Sequence, residues 1–237
     1  MYSGEEFLKN FVPNDSSRQH NAEILAERIV KSNKIKDVLD LGCGLGNSSD
    51  LFLCFSKEII WTGLDIENSD EVSKRKRTDV NFISYDGINI PFSDSSFDMI
   101  YSQQVFEHVE YPFELIKEIN RTLRKGGFFV GSTSQLEPFH GLSTFNYTPY
   151  GFGILLKGTS LKFIELRPGI DVVTLIMSRF LGNLPVFSWY FRRCFAKQSP
   201  INLFLTIIGK LMGKNNQDIN LLKLLLNGQF CFVIQKV

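Results

Sequence analysis

The chain has 237 residues, of which 43% are hydrophobic and 22% charged, and its formal net charge is +1. That length buries a full core and suits one α/β domain with an insertion, and the balanced charge gives no reason to expect nucleic acid as a partner. Cysteines at 43, 54, 194 and 231 follow neither a metal-ligand nor a disulfide-framework spacing, so they read as reduced thiols of a cytoplasmic protein. The start, Met1-Tyr2-Ser3-Gly4-Glu5-Glu6-Phe7, lacks the basic-then-apolar order of a signal peptide.

Helix and strand patterns alternate along the chain, which favours a parallel sheet wrapped on both faces. Residues 18 to 32 place Ile24, Leu25, Ile29 and Val30 on one helical face ahead of the first strand. Val38-Leu39-Asp40-Leu41 is a buried-strand pattern running into Gly42-Cys43-Gly44-Leu45-Gly46, a turn whose glycines let the backbone approach a ligand closely. The spacing is G-x-G-x-G, with Asn47 where a dinucleotide fingerprint has its last glycine. After a helix near 46 to 56, Ile59 to Asp65 reads as a second strand ending in an acid 19 residues beyond Gly46, placed to accept from both hydroxyls of a ribose. A helix near 68 to 77 closes on Lys74-Arg75-Lys76-Arg77, which reads as a solvated C-terminus favoured by the helix dipole. Val80 to Gly87 and Ile90 to Ile100 carry the third and fourth strands, and a helix near 111 to 124 leads through Leu123-Arg124-Lys125-Gly126-Gly127 into the fifth. Thr148-Pro149 reads as the N-cap and first position of another helix, Leu161 to Leu166 as a sixth strand and Gln229 to Gln235 as the last.

The order and spacing of these pieces resemble the class I S-adenosylmethionine (SAM) dependent methyltransferases. The run from Asp86 through Pro91-Phe92-Ser93-Asp94-Ser95-Ser96-Phe97-Asp98 is similar to that of the type 11 methyltransferases, a group that includes ubiquinone and menaquinone biosynthesis enzymes. The resemblance covers about 35–167 and the final strand. It implies a Rossmann-like, seven-stranded sheet with helices on both faces, an antiparallel pair formed by the last two strands, and residues 1–237 as one domain with a core of about 35–167 plus 229–236. It also implies SAM as cofactor, held by Asp40, Gly42, Gly44, Gly46 and Asp65, with Asp86 at the adenine amino group and Gln103 near the methionine part. A nicotinamide oxidoreductase is the competing nucleotide-binding reading, against which the missing G-x-G-x-x-G argues. A SAM-binding interaction module without catalysis is the other alternative.

Methyl transfer from a sulfonium requires mainly an aligned acceptor and exclusion of water, and a hydroxyl acceptor needs a base as well. Of the histidines at 20, 108 and 140, the last two fall in ligand-side loops. The pair Glu107-His108 recurs after the fourth strand of many type 11 methyltransferases, and some relatives bind a divalent metal there with an acid three residues earlier. Gln104 stands at that place here, so no metal is expected. His140 sits in an aromatic, hydroxyl-rich loop from Glu137 to Phe152. The catalytic candidates are therefore His140, His108 and Glu107, weighed against a role for Glu107 and His108 in shaping the pocket or capping a helix. The loop 137–152 resembles those of methyltransferases associated with cell-surface polysaccharide and glycolipid assembly. This makes a sugar hydroxyl or lipid-linked glycan the first expectation, ahead of a quinone-type phenol or other small molecule.

Residues 170–226 lie beyond the resemblance and hold seven basic residues against two acids, a local +5 that leaves −4 for the remainder. Their apolar runs stop well short of the ~20 residues that span a bilayer. The segment reads as a helical insertion between the last two strands, serving as a lid, as an amphipathic patch on an anionic membrane surface, or as a packed subdomain. On the second reading the cytoplasmic protein is also peripheral at the membrane.

Overall fold

The computed structural model describes residues 4–182 and 184–237; Met1 to Ser3 of the N-terminal run, and Asn183, lie outside the described residues. A short helix α1 (Gly4–Lys9) is followed by α2 (Ala22–Ser32), β1 (Asp37–Leu41), α3 (Ser48–Phe55), β2 (Ile60–Ile66), α4 (Asp70–Ser73), β3 (Asn81–Tyr85) and β4 (Phe97–Gln103). A 3-10 turn at Phe106–His108 leads to α5 (Pro112–Thr122), β5 (Leu123–Ser134), α6 (Pro149–Leu155) and β6 (Leu161–Pro168). Four helices, α7 (Val172–Leu181), α8 (Pro185–Ala196), α9 (Pro200–Leu211) and α10 (Asn216–Leu225), come before the final strand β7 (Gln229–Lys236).

The sheet has seven strands in the order β3-β2-β1-β4-β5-β7-β6. β1 to β5 pair in parallel, and β7 runs antiparallel to both β5 and β6, so the expected antiparallel pair is present with β6 on the outside. Strand alternation divides the core into two layers. Leu39, Ile100, Phe129 and Phe232 face Leu115, Ile116 and Ile119 of α5 together with Phe152 of α6. Their sequence neighbours Val38, Met99, Val130 and Val233 face Leu25 of α2 and Phe52 of α3. Helices therefore cover both faces, as adjacent side chains on a doubly buried strand require.

The helix expected over 18 to 32 begins at Ala22, because Asn21 caps it by accepting from the Ile24 amide at 2.9 Å. Its buried residues are Ala22, Leu25, Ala26 and Val30, whereas Ile24 is exposed. The upstream Gln19 is drawn into the core, donating to Cys194 O at 2.8 Å and accepting from the Ser199 amide at 3.0 Å. The helix expected over 68 to 77 shrinks to four residues, so the basic run after it is released to fold elsewhere. Thr148 does cap α6, accepting from the Gly151 amide at 3.0 Å with Pro149 in the first turn. No helix among the described residues is long and apolar enough to cross a membrane.

Candidate functional site

Register aligns the carboxyl ends of three neighbouring strands, pairing Asp40 with Gly63 on β2 and with Tyr101 on β4. The glycine turn leaves β1 at that level, with Gly42, Gly44 and Gly46 at φ of 71°, 49° and 79°. A Cβ at Gly42 would strike the Val105 side chain and one at Gly44 the Glu71 carboxylate, so close approach adds to the backbone requirement. Two amides pin the turn to β2, Gly42 N and Cys43 N donating to Leu64 O at 2.8 and 3.2 Å. Gly44 N donates to Asp65 Oδ2 at 2.7 Å, and the other Asp65 oxygen accepts from Ile66 N at 2.8 Å.

Asp40 is only 4% exposed, its Oδ2 accepting from Ser48 Oγ, which in turn accepts from Trp61 Nε1 at 3.2 Å. Burial pushes this carboxyl up to about 7, against the pull of the Ser48 bond and with help from the nearby Asp65 charge. A cleft of about 190 Å³ brings Asp40, Gly42 and Gln103 together with Cys43, Ser48 and Glu71. Positive-φ glycines around a buried carboxylate suit a cationic cofactor lying close to the backbone, so the residues present fit SAM. Gln103 is shared with a second cavity of about 270 Å³ walled by His20, Ser132, Gln229 and Arg192, so α8 borders the site. A larger cavity of about 470 Å³, against α1 and α10, contains none of the expected site residues.

Gly44, Gly46, Asp65 and Asp86 do not line the cleft. Asp86 is exposed and caps its own turn, Oδ1 accepting from Ile88 N at 2.9 Å and Asn89 N at 2.6 Å, and Oδ2 from Asn89 Nδ2 at 2.6 Å. These bonds, the Asn89 side chain first, hold its carboxyl below the ordinary range.

Only part of the basic run is the solvated helix end that its position suggested: Lys74, the C-cap of α4, and Lys76 are exposed, whereas Arg75 and Arg77 fold back onto the glycine turn. Arg75 donates to Gly44 O from Nε at 2.9 Å and from Nη2 at 2.6 Å, and its guanidinium carbon lies 3.8 Å from the Phe82 ring centroid. Arg77 reaches Gly46 O at 3.2 Å while pairing with Asp50 and Asp79. Sequence reasoning missed Glu71 and Arg75, since the helix-end argument presumed a helix that the chain leaves at Ser73.

The second group lies after β4 and β5. Gln103 is exposed and accepts from Tyr101 OH at 2.8 Å, while Gln104 adopts a φ of 56°, unusual for a residue with a Cβ. With its amide oriented to satisfy both ends, Gln104 donates to Glu107 Oε1 at 2.9 Å. Glu107 is fully buried and accepts from Thr133 Oγ1 and Ser134 Oγ, each at 3.0 Å. Its backbone carbonyl accepts from Thr144 N at 2.6 Å and Phe145 N at 3.1 Å, strapping the loop after β5 onto the 3-10 turn. That strap brings the His108 and His140 rings to 5.0 Å between centroids at 90°. Potential ligand atoms of Glu107, His108 and His140 all lie within 4.8 Å of one another.

Glu137 supports this cluster from below and was not singled out from sequence. It is buried, accepts from Ser134 Oγ at 2.6 Å and Gln229 Nε2 at 2.8 Å, pairs with Arg179 of α7, and lies 3.6 Å from His140 Nδ1. Ser134 has one proton for two neighbouring carboxylates. Burial raises the Glu107 pKa, while hydrogen bonds and Arg179 outweigh burial to lower that of Glu137, so Glu107 is the better holder of a shared proton.

Comparison with known proteins identifies the family and the fold. Residues 39–131 match the family model described as a methyltransferase domain. A Mycolicibacterium smegmatis protein named "probable S-adenosylmethionine-dependent methyltransferase" is 30% identical over 191 residues, which are 71% of this chain and 73% of the relative. An O-methyltransferase of Aspergillus nomiae is 28% identical over 177 residues, covering 64% of this chain and 78% of the relative. A solved Galdieria sulphuraria structure of the sarcosine dimethylglycine methyltransferase type aligns with a TM-score of 0.58 at 17% identity, over 91% of this chain and 84% of that one, a likeness of fold.

Proposed function

The chain belongs to the class I SAM-dependent methyltransferases of the type 11 family, and from that premise we propose that it methylates a hydroxyl of a sugar, a lipid-linked glycan or another small molecule. It is a SAM-dependent enzyme; the acceptor is the part proposed. Residues 1–237 act in this proposal as one domain, with the α7–α10 segment bordering the site. Asp40, Gly42 and Gln103 hold the cofactor in the cleft, and Gly44, Gly46, Asp65 and Asp86 complete its site where the glycine turn meets the ends of β2 and β3. Bound SAM supplies an electrophilic methyl group on a sulfonium.

The observation that carries the hydroxyl reading is the convergence of Glu107, His108 and His140 within 4.8 Å, beside the Gln104-Val105 turn that packs on Gly42. His140, partly exposed, takes the proton of the acceptor hydroxyl, while His108 and Glu107 orient it. The similarity to an O-methyltransferase supports oxygen as the acceptor atom. A lipid-linked acceptor and a peripheral membrane contact through residues 170–226 belong to the same proposal for a protein otherwise in the cytoplasm, within polysaccharide or glycolipid assembly.

Methyl transfer from labelled SAM into a metabolite and lipid extract, followed by mass spectrometry of the product, tests the acceptor. His140→Ala should lower kcat by ~100-fold with SAM affinity unchanged, and near-normal turnover in both His140→Ala and His108→Ala would refute base catalysis. A second reading has support of its own, because the same three side chains offer two imidazoles and a carboxylate to a divalent cation. Activity lost to a chelator and restored by added metal would favour it.

A further inference from the structure

Helix α9 is arranged inside out, while α7 and α8 bury Leu175, Phe191 and Cys194 yet also carry large apolar side chains outward. On α9 the buried residues are Asn202 and Gly209. Asn202 Nδ2 donates to Gln19 Oε1 at 2.7 Å and to Gly169 O at 2.9 Å, and a Cβ at Gly209 would come 2.5 Å from Ile219 of α10. The polar and small face is thus the one docked on the domain. Leu203, Phe204, Ile207, Ile208 and Leu211 occupy the opposite, exposed stripe, with Leu211 78% exposed. α8 exposes Val186 at 82% and Trp189 at 67%, and α7, which packs against both, exposes Phe180 at 76%. Monomeric soluble proteins rarely leave large apolar patches uncovered, and these side chains stand on α7 and the two helices that pack against it.

Charge indicates what covers it. From Val172 to Gln217 the chain carries six Lys or Arg and no Asp or Glu. Arg192, Arg193, Lys197 and Lys210 are exposed and form no ion pair with described residues, and the Arg193 guanidinium lies 5.6 Å from the Trp189 ring centroid. Apolar stripes, interfacial aromatics and cations without acids match an anionic bilayer surface, where apolar groups enter the acyl boundary and basic ones meet the headgroups. A protein partner would not require the complete absence of acids.

We infer that the outer face of α7 to α9 docks the enzyme onto an anionic lipid surface, a reading that rests on the proposed membrane contact and names its face and lipid charge. Arg179 of this cap pairs with Glu137 beside His140, so docking sets the catalytic loop near the bilayer. The test is sedimentation of the full chain with phosphatidylcholine vesicles, with and without phosphatidylglycerol, at low and high salt. Wild type should pellet with the anionic vesicles at low salt and be released by salt. Arg193→Glu, Lys197→Glu and Lys210→Glu together should lower partitioning by at least ~100-fold, at ~1 kcal/mol for each basic side chain. Phe204→Ser with Leu211→Ser, both at exposed positions, should weaken it without loss of folding. Wild type that stays in solution with anionic vesicles, or forms a stable dimer that ignores them, would overturn the inference. Calorimetric titration of the same preparations with SAM reports separately on the transferase reading, so failure of one is not failure of the other.

Discussion

Replacing Asp40 with Asn probes the cofactor cleft and the stability of the fold in one variant. The buried carboxyl is pushed up to about 7 from an ordinary 3.8. Between those values the folded chain holds a proton that the unfolded chain has released, so native stability falls as pH rises through the window and stays lowered above about 7. At ~1.4 kcal/mol per pH unit the whole effect is ~4 kcal/mol, of which ~2–3 kcal/mol falls between pH ~5 and ~8. Asn keeps the shape, can still accept from Ser48, and has no charge to bury. Asp40→Asn should therefore gain stability over wild type by about that amount across the interval, measured by urea unfolding at several pH values. SAM binding should move the opposite way. A carboxyl with a pKa of about 7 is ionised in about a tenth of molecules at pH ~6 and nine-tenths at pH ~8, so wild-type affinity for the cationic cofactor should improve ~10-fold, whereas the variant binds weakly at both. A variant that gains no stability with pH and keeps the wild-type SAM profile would refute both the burial argument and the place of Asp40 in the cleft.

Gly44→Val should abolish SAM binding, since φ is 49° and a Cβ there meets the Glu71 carboxylate. Asp65→Ala removes the acceptor of the Gly44 amide and should weaken SAM by ~10- to 100-fold, the ~1.5–3 kcal/mol typical of bonds to a charged group; calorimetry showing unchanged affinity in both would contradict the site. Buried Lys223 donates to Ser17 O and, at 2.7 Å, to Thr206 Oγ1, and burial pulls its pKa down to about 8. From about 8 to 10.5 only the unfolded chain holds that proton, so stability should rise by up to ~3 kcal/mol across this range, and Lys223→Met should flatten the rise in denaturation profiles.

What was legible in the linear chain was local. The strand into Gly42, the acid at Asp65 and the cap at Thr148-Pro149 each depend on a few consecutive residues, whose backbone preferences act over the same short range. The antiparallel pairing of the last two strands was reached through family resemblance, since periodicity marks a strand without naming its neighbours, and the place of β7 between β5 and β6 came from the structure. Three features needed the tertiary structure. The α9 stripe at 203, 204, 207, 208 and 211 has ordinary amphipathic spacing, but spacing cannot say which face docks. Only the bonds of Asn202 and the tight contact at Gly209 decide that the apolar side points outward. Arg75 turns back onto Gly44 because α4 ends after one turn, a length its composition did not reveal. His108 and His140 are 32 residues apart and meet because two amides of the later loop bind the Glu107 carbonyl, a closure no local preference encodes. Local sequence sets the dihedral angles and the caps, whereas burial and hydrogen bonds between distant segments decide which surfaces are covered and which side chains share a site.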